Sequence, residues 1–305
     1  MINDKLKVNF CGVEFKNPVV TSSGTYGFGH EYNMFYDVGR LGGLGMKGLT
    51  LKPRTGNPPP RVYETPSGML NSVGLQNPGV EAFCKDILPD VKKFGSKIIV
   101  NISGNTVEDY CKMAEIISES GSDIIEMNIS CPNVKKGGAS FGTDAKVVNE
   151  ITSQVKKYCQ IPLVVKLTPN VTDIAEIARA AEAGGADGLS LINTLLGMSI
   201  DIKTKRPRLK NNVGGLSGPC VKPVAVRMVW QVANAVNIPI MGMGGISTWE
   251  DAVEFMMAGA TLVSVGSANF ADPYSAVKIV DGLEKYVEDN KLNNISDIIS
   301  CVEPF

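Results

Sequence analysis

Eight short apolar runs, most of them ending beside glycine or a small polar residue, alternate with longer amphipathic stretches, and this alternation restricts the fold more than any other feature of the chain. The runs cover 18–23, 43–50, 97–103, 123–130, 162–168, 188–194, 239–246 and 262–270. Their β-branched content and lack of polar alternation suit parallel strands covered on both faces. Helix-like stretches at 80–94, 106–120, 144–158, 172–183, 219–236, 248–258 and 273–288 fill the intervals. Several open with capping signals, such as Thr106 before Glu108 and Asp109, and several close at glycine, as at Gly121, Gly184 and Gly259. The pattern predicts an α/β chain forming one (β/α)8 barrel over residues 1–305, although an open eight-stranded sheet would give the same string. Residues 51–78 and 195–218, rich in proline and glycine, read as long loops after the second and sixth strands. Both would leave from strand C-terminal ends, where a barrel carries its site. Before the first strand, residues 7–17 read as a short hairpin able to plug the opposite end.

Composition removes whole classes of function. Lysine and arginine number 30 against 31 acidic residues, so neither a nucleic acid nor a membrane surface is an expected partner. A single histidine, His30, excludes histidine-rich metal chemistry, and no metal site is expected. Seven cysteines, an odd number with no C-x-x-C pair, suit a reduced, cytoplasmic protein without a disulfide framework or a local iron-sulfur site. Six of them read as small buried hydrophobes. The opening Met1-Ile2-Asn3-Asp4-Lys5 gives no sign of a secretory leader, and the uncharged stretch 228–249 reads as a helix end plus a buried strand.

Motifs then concentrate at strand ends. Gly43-Leu44-Gly45-Met46-Lys47-Gly48 matches G-x-G-x-x-G, yet its glycines lie within a strand and no helix follows, so it is not a dinucleotide fingerprint. Gly244 and Gly245 after the seventh strand and Gly266-Ser267 after the eighth occupy the positions where barrels bind phosphate. Lys47 and Lys166 are each the only charge in an apolar run, and each needs an anionic or polar partner. Asn71, Asn77, Asn101, Asn128, Asn133 and Asn193 suggest amides converging on a planar ligand with both donors and acceptors. Cys131 differs from the other cysteines, because it follows a strand, precedes Pro132 and lies under a glycine-rich segment, 134–143, that reads as a lid.

Taken together, Ser23-Gly24, Lys47, the run 71–77, the run 128–133, Lys166, Asn193-Thr194, Gly244-Gly245 and Gly266-Ser267 resemble the class 1 dihydroorotate dehydrogenases, flavin enzymes of pyrimidine biosynthesis. The likeness covers essentially the whole chain. Cys131, where membrane-associated relatives carry serine, and the wording of 74–79 and 131–138 are similar to subclass 1B. That resemblance implies FMN in this chain, and a partner subunit with FAD and a [2Fe-2S] cluster that passes electrons to NAD, in a heterotetramer built on a dimer of this chain.

The resemblance also implies roles. Cys131 would take the C5 proton of (S)-dihydroorotate while hydride passes from C6 to FMN N5, giving orotate, and Lys166 would stabilise charge on the reduced flavin. Lys47, Asn71, Ser72, Val73, Gly74, Leu75, Asn128, Asn133, Asn193 and Thr194 would hold the substrate. Ser23, Gly24, Met46, Lys47, Asn101, Asn128, Lys166, Ile192, Gly218, Gly244, Gly245, Gly266 and Ser267 would hold FMN. The alternatives are a fumarate-dependent class 1A homodimer, a dihydropyrimidine dehydrogenase-like FMN barrel and, more distantly, a flavin-free phosphate-binding barrel.

Overall fold

A computed structural model describes residues 4–130, 141–303 and 305. The chain begins with the expected hairpin, β1 (Val8–Phe10) and β2 (Val13–Phe15), paired antiparallel. Then come β3 (Val19–Thr21) and β4 (Gly43–Gly45), followed by β5 (Val62–Thr65) and β6 (Gly68–Asn71), and next β7 (Lys97–Ile102), β8 (Ile124–Asn128), β9 (Leu163–Lys166) and β10 (Gly188–Leu191). The remaining strands are β11 (Leu195–Gly197), β12 (Ile200–Asp201), β13 (Arg206–Pro207), β14 (Gly214–Ser217), β15 (Ile240–Met243) and β16 (Ala260–Val265).

Eight of these strands close into a parallel barrel in the order β3-β4-β7-β8-β9-β10-β15-β16, with β16 returning to β3. Closure settles the choice between barrel and open sheet in favour of a (β/α)8 fold. The strands are buried along nearly their whole length, which explains their lack of polar alternation. Helices at Val107–Glu119, Ala145–Lys156, Ile174–Ala183, Lys222–Ala233, Trp249–Met257 and Ser275–Asp289 fall within the expected intervals to one residue. Thr106, Asp144, Asp173 and Thr248 cap four of them by accepting hydrogen bonds from first-turn N–H groups. The stretch 80–94 is less regular, because a π turn over Phe83–Ile87 and a 3-10 turn over Lys92–Phe94 interrupt it.

The hairpin packs against the N-terminal end of the barrel. A Cβ on Gly188 would lie 2.6 Å from Cys11 Sγ, and one on Gly43 would lie 2.9 Å from the Phe15 ring, so both strand starts need glycine to admit the hairpin. Phe10 and Phe15 are fully buried and meet edge to face at 6.4 Å.

The two expected long loops require correction. They carry strands, and β11-β14-β6-β5 pair across them as a four-stranded antiparallel sheet. Strands of three or four residues are too short to show a period, and β14 finds its partner β6 some 145 residues away in sequence, as in the pair Asn71 and Gly215. The signal available was local: Val62-Tyr63-Glu64-Thr65 is β-prone and Pro66-Ser67-Gly68 is a turn. The cysteine expectation also changes, because Cys220 and Cys301 are exposed, one on a tight turn after β14 and one in the C-terminal tail.

Candidate functional site

Barrel register brings inward polar side chains together. Asn101 pairs with Glu126, and Lys166 lies between Asn128 on one neighbouring strand and Ser190 on the other. Residues 126 and 128 sit two apart and so share the inward face. Glu126 is 2% exposed, and both its oxygens are engaged: Asn101 Nδ2 donates to Oε2 at 2.6 Å and Ser190 Oγ donates to Oε1 at 2.7 Å. The Lys166 ammonium, also buried, lies 3.6 Å from Oε1.

At the C-terminal ends of the strands this layer borders a cavity of about 370 Å³, within the usual range for a small-molecule site. Its wall contains every described residue to which the resemblance gave a substrate, cofactor or catalytic role, except two. Ser23, Gly24 and Lys47 come from the first two barrel units; Asn71, Ser72, Val73, Gly74 and Leu75 come from the end of β6 and the loop after it. Asn101, Asn128, Lys166, Ile192, Asn193 and Thr194 come from strands β7 to β10 and their ends, and Gly244, Gly245, Gly266 and Ser267 from the loops after β15 and β16. The two exceptions are Met46, fully buried in the strand end, and Gly218, whose carbonyl backs Gly245 from outside the wall. Cys131 and Asn133 lie outside the described residues, as does most of the expected lid. Gly142, at the end of that segment, is packed on Ile129 and donates to its carbonyl at 2.9 Å.

The asparagines divide by role. Asn71, Asn101, Asn128 and Asn193 reach the cavity, and Asn193 Nδ2 donates to Asn128 Oδ1 at 3.2 Å and to Ser130 Oγ at 2.8 Å. Asn77 does not belong to this ring. Its side chain is consumed in clamping the chain, accepting from Thr50 and Gly79 N–H and donating to Leu75 O and Thr50 Oγ1. His30 packs edge-on against Phe94 and is absent from the cavity wall.

Several polar groups in this half-buried wall have no protein partner and are open to a ligand. The N–H groups of Gly244, Gly245, Gly266 and Ser267 find no acceptor among the described residues. The buried Ser72 Oγ has no partner either. Among the described residues Lys47 makes no ion pair or side-chain hydrogen bond; burial first, and the nearby Arg61 second, hold its ammonium below the usual lysine value. The arrangement can therefore bind an anion at the glycine loops, place cations at Lys47 and Lys166, and present amides to a flat polar ring.

Glu126 and Ser190 escaped sequence reasoning; the run 123–130 opens with Asp123, so Glu126 is not its only charge, although it is the only one within β8. Met69 and Ser217 from the antiparallel sheet also line the cavity, as does Phe270, and no local pattern marks them.

Among the described residues no helix is long and apolar enough to cross a membrane, and no group of acidic, cysteine or histidine side chains could hold a metal. A family model described as dihydroorotate dehydrogenase matches residues 5–287. Similar curated proteins carry the name dihydroorotate dehydrogenase B (NAD(+)), catalytic subunit. One from Alkaliphilus oremlandii is 57% identical over 299 residues, covering 98% of this chain and 99% of the relative. One from Bacteroides fragilis is 56% identical with the same coverage, and one from a Thermoanaerobacter species is 52% identical over 298 residues, again 98% and 99%. With a barrel, a ligand-seeking mouth and a match over nearly its full length, the chain belongs to the dihydroorotate dehydrogenase family.

Proposed function

We propose that this chain is a single FMN-binding barrel that oxidises (S)-dihydroorotate to orotate in pyrimidine biosynthesis, as the catalytic subunit of a cytoplasmic, NAD-linked enzyme. The observation that carries the reading is the cavity itself, where four unsatisfied backbone N–H groups and two cations converge with amide side chains. These residues fit FMN: the N–H groups at Gly244, Gly245, Gly266 and Ser267 suit its phosphate, while Ser23, Gly24, Asn101 and Lys166 suit its ring. When bound, FMN supplies the hydride acceptor.

The chain supplies the rest. Asn71, Asn128, Asn133, Asn193 and Thr194 hold the pyrimidine ring, with Ser72, Val73, Gly74 and Leu75 closing over it and Lys47 facing its carboxylate. Cys131 Sγ takes the proton from C5. A free thiol titrates at about 8.5, so the rate of substrate oxidation rises with alkaline pH as the thiolate fraction grows. Names that specify NAD(+) and a catalytic subunit support a separate electron-transfer partner, for which FAD and a [2Fe-2S] cluster are the expected carriers, in a heterotetramer.

Stopped-flow reduction tests the assignment. Cys131→Ala retains FMN and loses about 10² to 10⁴ in the rate of flavin reduction by dihydroorotate, the usual scale for a general base. Near-normal reduction in this variant would overturn the role of Cys131. Turnover of the isolated chain with fumarate would overturn the subclass.

A further inference from the structure

Glu126 is a carboxylate buried in the barrel beneath the cavity, and the proposed reaction does not use it. Its position is nevertheless specific. Both its oxygens accept short hydrogen bonds from Asn101 and Ser190, while Lys166 stands 3.6 Å from Oε1, an ion-pair contact longer than either. The carboxylate thus balances the charge of Lys166 without capturing its N–H donors, and among the described residues Lys166 donates no side-chain hydrogen bond. The ammonium stays in the cavity wall, with no hydrogen-bond acceptor among the described residues.

We propose that Glu126 is a positioning residue that sets the electrostatics of the flavin site, holding Lys166 in the cavity wall and, with Asn101 and Ser190, tempering its positive charge. The proposal rests on the FMN reading above. It gives Ser190 a part as well: its hydroxyl draws off charge from Oε1, the oxygen that faces Lys166. In a medium of low dielectric, one charge this close to a redox ring changes the relative stability of its oxidised and reduced forms.

The test is the midpoint potential of bound FMN, measured spectroelectrochemically on the holoenzyme, with FMN affinity measured beside it. Glu126→Gln keeps the shape and removes the charge, so reduced FMN, which carries more negative charge, gains about tenfold in affinity relative to oxidised FMN. For a two-electron couple that is a rise of about 30 mV. Glu126→Asp keeps the charge and stays near the wild-type potential. Ser190→Ala takes one donor from Oε1, leaves its negative charge less spread beside Lys166, and lowers the potential. An unchanged or lowered potential in Glu126→Gln with FMN bound would overturn the proposal and leave Glu126 a purely structural group. Should Glu126→Gln not fold, Ser190→Ala decides: a fall supports the proposal and no change overturns it. A wild-type chain that is reduced by dihydroorotate while the variants match its potential sinks only this inference, whereas a wild-type chain that cannot bind FMN sinks the functional reading too.

Discussion

The two ends of the barrel are built from the same materials to opposite purposes. At the N-terminal end, glycines at 43 and 188 let the β1–β2 hairpin press Phe15, Phe10 and Cys11 against the strand starts. Polar groups there are satisfied: Asn17 accepts from Val19 and Gly42 N–H and donates to the Arg40 carbonyl, and Cys11 Sγ donates to the carbonyl of Asp187 at 3.3 Å. Burial, and secondarily the Asp187 carboxylate, push the Cys11 thiol up to about 12, which makes it inert at neutral pH. At the C-terminal end, Gly244 and Gly245 adopt positive φ (122° and 84°) and leave N–H groups open, and the Lys47 ammonium has no partner among the described residues. The difference teaches that glycine content alone says little. What separates packing from binding is whether the neighbouring hydrogen bonds are complete.

If the ends are independent, they break independently. Phe10→Ala empties a fully buried site and lowers stability by about 3–5 kcal/mol, seen as a fall in the urea midpoint, while orotate affinity of the folded protein is unchanged. A parallel loss of affinity would show that the plug shapes the mouth. Lys47→Met has the reverse signature. It weakens orotate binding by about 1.5–3 kcal/mol, the scale of a hydrogen bond to a charged group, and costs no stability because no described side chain loses a partner. Lys47 is held below the usual lysine value, so as pH climbs through that lowered pKa the ammonium is lost and wild-type affinity for the anion falls; in Lys47→Met that slope flattens. Calorimetric titration across the alkaline range reads both effects.

The same division explains what could be seen in the sequence. The barrel strands were legible because each is a continuous apolar run, and the plug was legible because its alternation, Val8-Asn9-Phe10 and Val13-Glu14-Phe15, is local. Lys47, Lys166 and the glycine loops stood out because each interrupts an apolar pattern. The antiparallel sheet was half hidden: β5 and β6 form a local hairpin, but the other edge of β6 pairs with Gly214–Ser217, which no window of the sequence contains. Asn77 misled for a related reason. Composition cannot distinguish an amide aimed at a ligand from one spent on Thr50 and Gly79, and only the hydrogen bonds separate them. Glu126 was missed because a buried carboxylate looks like an error in a strand until register sets Asn101 and Lys166 around it.

The smallest expected effect tests whether the open glycine loop is held from outside the cavity. Asp251, on the helix Trp249–Met257, accepts from the N–H groups of Ser247 and Thr248 at 2.8 and 3.0 Å and from Lys222 Nζ at 2.7 Å, closing a capping box with Thr248. These contacts fix the chain directly after Gly244 and Gly245. Burial alone would raise its carboxyl, but Lys222 and the two N–H groups together outweigh that and hold it below the usual aspartate value. The folded pKa is therefore depressed. Its stabilisation is complete above the unfolded value of about 3.9 and is lost as pH falls through the lowered folded value. Asp251→Asn should cost about 0.2–1 kcal/mol at neutral pH, the scale of an ion pair that solvent reaches. The gap in urea midpoint between the two proteins should close in acid. A gap of equal size at neutral and acid pH would mean that shape, not charge, holds the loop. An unchanged affinity for FMN in Asp251→Asn would show that the open N–H groups keep their places without this outer clamp, and that the mouth is as self-sufficient as the plugged end.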